Sequence, residues 1–81
     1  MRRVGNYLIA KDITEEGKKT SVFLIKNEKS DDKLGIIKWN NHWRRYCFYP
    51  LGDTCFDNQC LLDIIDFIKQ LMEERKSGKV Y

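Results

Sequence analysis

Apolar residues fall along this chain in two rhythms. Up to residue 50 they come in short bursts separated by polar segments, and beyond residue 57 they recur every three or four positions. The bursts read as strands. VGNYLIAKDI opens the chain, KTSVFLIKN follows the turn TEEGKK, and LGIIKW follows EKSDDK. WRRYCFY follows NNH and is closed by Pro50, which has no amide to give to a sheet ladder. Val22, Phe23, Leu24 and Ile25 are consecutive, which puts apolar side chains on both faces of the sheet. In the second rhythm Leu61, Ile64, Ile65, Ile68, Leu71 and Met72 form one apolar stripe at helical spacing. Asp57 is placed to cap that helix, accepting from free first-turn amides at its positive end. Arg75 and Lys76 suit its negative end, and Gly78 is the expected terminator.

The pattern predicts one α+β domain over residues 1–81. Strands near 4–12, 19–28, 34–39 and 43–49 form a four-stranded antiparallel meander, and a C-terminal helix near 57–76 packs on one of its faces. One helix covers only one face. With apolar side chains on both, the second face is expected to meet another subunit, a partner or a ligand. Size points the same way: a chain of 81 residues buries only about 60–65% of its unfolded surface, so self-association, a dimer above all, is expected to contribute to stability.

The turn at Asn40 and Asn41 decides which side chains share a face. Asparagine tolerates positive φ, which favours a two-residue primed turn pairing Trp39 with His42. Ile37, Trp39, Arg44, Tyr46 and Phe48 then share one face, and Ile36, Lys38, Trp43, Arg45, Cys47 and Tyr49 the other. The first set reads as core. The second reads as a binding surface, where an indole can stack and a guanidinium can fork onto phosphate or carboxylate. A three-residue loop would pair Trp39 with Trp43 and reverse the strand, making the site Lys38, Arg44 and Tyr46. The candidate ligand- or partner-binding residues are therefore Lys38, Trp43, Arg44, Arg45 and Tyr49.

Charge adds a direction. Residues 1–50 carry eleven Lys/Arg against six Asp/Glu, while residues 51–81 carry four against six. The strand region is the basic part and favours an anionic partner, a nucleotide or a nucleic acid. The same aromatic and cationic residues also suit a protein partner. No apolar run approaches a membrane span, and MRRVGNYLIAKD lacks the apolar core and small-residue site of an export signal. A cytoplasmic location without membrane association is expected, with Cys47, Cys55 and Cys60 as reduced thiols.

Chemistry beyond binding finds little support. C-x7-C and C-x4-C miss the knuckle spacing of structural zinc sites, and no metal or cofactor is expected. His42 and Cys47 are the only nucleophile–base pair available, and strand alternation puts them on opposite faces. Asp53 and Asp57 are explained by a turn and a helix cap. There is no HExxH, GxSxG or phosphate-cradling glycine loop. No catalytic residue is assigned, and the chain is expected not to be an enzyme.

Across residues 35–71 the chain resembles a family of small uncharacterised proteins of bacteriophages and prophages. The shared pattern is G-x-IKW, then WR-x-YCF-x-P, then CL-x-x-I-x-x-FI-x-x-L. Here it falls on Gly35, Ile37, Lys38, Trp39, Trp43, Arg44, Tyr46, Cys47, Phe48, Pro50, Cys60, Leu61, Ile64 and Phe67. Asn40 stands where that family commonly has an aromatic, and Arg45 where it has glutamine. The resemblance implies a phage setting inside a bacterial host. It suggests a non-catalytic counter-defence inhibitor that sequesters a nucleotide signal or occludes a host defence protein. The alternatives are a single-stranded nucleic-acid-binding accessory protein and a structural or assembly component of the phage.

Overall fold

A computed structural model describes residues 1–76. Five strands, not four, build the sheet: β1 (Arg2–Val4), β2 (Leu8–Asp12), β3 (Val22–Asn27), β4 (Lys33–Asn40) and β5 (Arg45–Pro50), followed by the helix α1 (Asn58–Glu74). The strands lie side by side in chain order, each antiparallel to the next. The additional strand comes from a break in the first apolar burst. Gly5 takes φ 66° and the chain reverses through Gly5–Tyr7, so that Val4 pairs with Leu8. Apolar content alone reads V-G-N-Y-L-I as continuous, whereas the Gly-Asn pair inside it is a hairpin signal. A side chain at position 5 would also run into the Asp63 carboxylate on α1.

The helix crosses one face. Ile64, Phe67 and Leu71 meet Val4, Leu8, Ala10, Phe23, Ile25, Ile37 and Tyr46 in a single buried cluster. Phe67 stands edge-on to Phe23 at 5.1 Å. Arg2 ties the outermost strand to the end of the helix: its guanidinium lies 4.9 Å over the Phe67 ring and 2.7 Å from the Glu74 carboxylate. Asp57 caps the helix, its carboxylate accepting from the Cys60 amide at 2.8 Å. That bond holds the Asp57 carboxyl below the ordinary range, while burial pushes the Cys60 thiol up. Gly78, the expected terminator, lies outside the described residues.

Two details depart from simple periodicity. The sheet covers a narrower arc of the helix than the apolar stripe spans, so Leu61 and Ile65, expected to be inside, are exposed beside Leu62. The register also shifts between β3 and β4, with Ile25 opposite Gly35 but Lys26 opposite Lys33. The extra residue, Leu34, packs against the core. At Gly35 a Cβ would collide with the Phe48 ring, so the missing side chain lets Phe48 lie across β4 and meet Phe56 edge-on at 5.2 Å.

Candidate anion-binding site

The β4–β5 hairpin sets the site. Trp39 pairs with Tyr46 and Asn40 with Arg45, leaving a four-residue loop of Asn41, His42, Trp43 and Arg44 rather than a two-residue turn. Asn40 closes it. Its side-chain oxygen accepts from the Trp43 amide at 2.9 Å and its carbonyl from the Arg44 amide at 2.7 Å. The positive φ, 56°, falls on Arg44 instead of an asparagine. Compared with the two-residue turn, the pairing has moved by an even number of residues, so face assignments on the strands are unchanged. Ile37, Trp39, Tyr46 and Phe48 face the helix, and Ile36, Lys38, Cys47 and Tyr49 the opposite side.

The five candidate residues are therefore not brought together. Lys38 and Tyr49 are, with the Lys38 ammonium 4.9 Å over the Tyr49 ring and the Tyr49 hydroxyl accepting from the Asn40 side-chain amide at 3.0 Å. Arg45 is exposed at the start of β5. Trp43, 66% exposed, and Arg44 sit in the loop and belong to neither face. His42 is exposed there too, while the Cys47 thiol lies 3.8 Å from the Arg45 carbonyl.

Trp39 is the centre of the better-formed site. It stands edge-on to Tyr46 at 5.3 Å, and its outer side lies under the Arg75 guanidinium, 4.1 Å from the ring centroid. Beside it opens a cleft of about 390 Å³ lined by Lys18, Lys19, Thr20, Val22, Lys38, Trp39, Asn41 and Arg75. Among the described residues four cations line it and no carboxylate does. The ion pairs among the described residues lie elsewhere, at Arg2–Glu74, Arg3–Glu28 and Lys26–Asp31. A half-buried indole beside cations that make no ion pair among the described residues suits a ligand with phosphate charge and a flat ring. A second cleft, of about 490 Å³, adjoins it and is lined by Trp39, Met72, Glu73, Arg75 and Lys76.

The sheet's open face continues the basic character. Cross-strand rows read Arg3–Ile9–Lys26–Lys33, Lys11–Leu24–Ile36–Tyr49 and Val22–Lys38–Cys47. Each mixes apolar bodies with cations whose stems can shield them. Lys38 belongs both to this face and to the cleft, and so joins the two.

Lys18, Lys19 and Arg75 are the residues that strand patterning misses. Topology held the signal. In a meander the β2–β3 and β4–β5 connections lie at the same end of the sheet, and a helix that starts beyond β5 returns its C-terminus to that end. The Lys18–Lys19 pair, the hairpin and Arg75 must then converge.

Over 60 residues the chain is 42% identical to a protein of Acholeplasma phage L2 named "Uncharacterized 9.3 kDa protein", a match spanning 74% of this chain and 77% of that one. The chain belongs to this phage protein family. No family model and no solved structure matches it. Among the described residues of this phage protein, no helix is long and apolar enough to cross a membrane, and no group of His, Cys, Asp or Glu is placed to hold a metal ion.

Proposed function

We propose that this phage protein is a non-catalytic binding protein that holds a nucleotide by its phosphates in the cleft beside Trp39. In the host cytoplasm it acts in counter-defence, by sequestering a nucleotide signal. The observation that carries this reading is the meeting of Lys18, Lys19, Lys38 and Arg75 around one indole, with no carboxylate in that lining among the described residues. Ammonium and guanidinium groups take phosphate oxygens as charge-assisted acceptors, and the indole offers a face for a base.

A dimer is part of the reading, and its support lies on the helix rather than the sheet. Leu61, Leu62 and Ile65 are 45%, 50% and 46% exposed, whereas the open sheet face carries Lys11 and Lys38, which repel a second copy.

The test is calorimetric titration with a nucleoside triphosphate, on the wild type and on the Lys18→Glu, Lys38→Glu double variant. Stoichiometric binding that the charge reversals remove is the expected result. No binding to the wild type overturns the reading. A salt- and charge-insensitive stoichiometric complex recovered from host extract would favour occlusion of a host defence protein instead.

One observation favours a second reading, a single-stranded nucleic-acid-binding protein. The stacked Lys38–Tyr49 pair carries the basic character out of the cleft onto an open antiparallel sheet, a surface on which bases can stack. Under that reading affinity grows with oligonucleotide length and falls steeply with salt, each phosphate contact contributing about −0.7 to the logarithmic slope.

A further inference from the structure

Among the described residues, the two clefts at the end of the sheet share Trp39 and Arg75. Their linings differ in kind. One side presents Lys18, Lys19 and Lys38, and the other Met72, Glu73 and Lys76, so that among the described residues only the second carries a carboxylate. The partition between them is the stack itself, the Arg75 guanidinium 4.1 Å from the Trp39 centroid. A guanidinium and a nucleobase are both flat and both bind an indole face, so one can replace the other.

The Arg75 backbone is anchored, its amide donating to the Leu71 and Met72 carbonyls. Its side chain, by contrast, has no hydrogen bond or ion pair among the described residues, so with respect to them turning away gives up the stack alone. The cationic cleft is then within reach, since Arg75 already lines it.

We propose that the two clefts are the halves of one bipartite site for a nucleoside polyphosphate. The base takes the place of the Arg75 guanidinium on Trp39, with Met72 against its edge. The Glu73 carboxylate accepts from a ribose hydroxyl or an exocyclic amine. Arg75, displaced, joins Lys18, Lys19 and Lys38 on the phosphate chain. This rests on the phosphate-binding reading above and adds to it the base, its position and the residues that select it. Arg75 thereby acquires two roles, holding the base position when the site is empty and neutralising phosphate when it is filled.

The experiment uses the Trp43→Phe protein. Trp43 is exposed, so the fold is retained, which circular dichroism checks, and Trp39 becomes the sole indole. Its emission and calorimetric affinity are followed with ATP and, separately, with inorganic triphosphate. The expected result is that both bind, that ATP binds about tenfold more tightly, as one stacked base provides, and that only ATP changes the Trp39 emission strongly. Adding Glu73→Gln should narrow the ratio of the two affinities, a quantity from which a general change of charge cancels. If triphosphate binds and ATP binds no better, or leaves Trp39 emission unchanged, the bipartite site is overturned while the phosphate cleft stands. If neither binds, both readings fall together.

Discussion

Truncating the two tryptophans separately gives opposite outcomes, and the difference can be worked from their surroundings. Trp39 is half-buried, packed against the core cluster, edge-on to Tyr46 at 5.3 Å and covered by Arg75 at 4.1 Å. Removing a fully buried Trp side chain costs about 3–5 kcal/mol, so a half-buried one costs about 2 kcal/mol. The lost ring pair adds roughly 0.5–1 kcal/mol and the lost cation contact a similar, partly overlapping amount. Trp39→Ala should therefore destabilise the protein by about 3 kcal/mol, lowering Tm by roughly 12–24 °C in a domain of this size. Trp43 is 66% exposed, and what closes its loop is its main-chain amide on the Asn40 side chain, which an alanine retains. Trp43→Ala should cost no more than about 0.5 kcal/mol, within the range of ordinary surface changes. Scanning calorimetry of both variants decides. If Trp43→Ala melts as low as Trp39→Ala, the loop packs on the body, Trp39 is not the wall of an open cleft, and the site is misplaced.

The remaining predictions concern the scaffold. Phe67→Ala, at the 1%-exposed centre of the helix face, should cost about 3–5 kcal/mol in urea melts; a loss under about 1 kcal/mol would mean that the helix does not dock on Phe23. The carboxyls of Asp57, which accepts from the Cys60 amide, and Asp12, which accepts from the Thr14 hydroxyl and amide, are both held below their ordinary range. With folded values below unfolded ones, their stabilisation is present above about pH 4 and is lost as pH falls through the depressed values. Asp57→Asn keeps a neutral cap and should flatten the acid limb of Tm against pH, and limbs of equal steepness would refute the assignment. Cys55 is exposed whereas burial pushes the Cys60 thiol up, so a maleimide should label Cys55 first and Cys60 last at neutral pH; the reverse order by peptide mass mapping would contradict the packing of Cys60 on the core.

What patterning reveals in this chain is what depends on local rhythm. The helix is legible because Ile64, Phe67 and Leu71 recur with its period and Asp57 offers a cap, and both the stripe and the cap bond are present. The stripe does not say how wide an arc the sheet will cover, which is why Leu61 and Ile65 emerge into solvent. The strands after residue 20 are legible for the same reason, but the first burst hides a reversal at Gly5 that only turn chemistry signals. In the hairpin, face assignment is more robust than the turn. Any loop with an even number of residues gives Lys38 and Tyr49 one face and Trp39 and Tyr46 the other, so the four-residue loop moves His42, Trp43 and Arg44 off the strand and Asn40 onto it without reversing either face. The cleft is the least legible feature. Its cations come from the β2–β3 loop, β4 and the helix end, far apart in sequence, and they meet through topology rather than through any motif.

The most direct test of the central claim is a nitrogen–proton NMR titration of the labelled protein with inorganic triphosphate. The two indole N–H signals, from Trp39 and Trp43, report on the cleft and on the hairpin loop separately. Saturable shifts of the Trp39 indole and of the Lys18, Lys19 and Lys38 amides, with the Trp43 indole unmoved, are the predicted result. A titration that moves Trp43 and Arg45 while leaving Trp39 in place, or that moves nothing, would contradict an anion site built around Trp39.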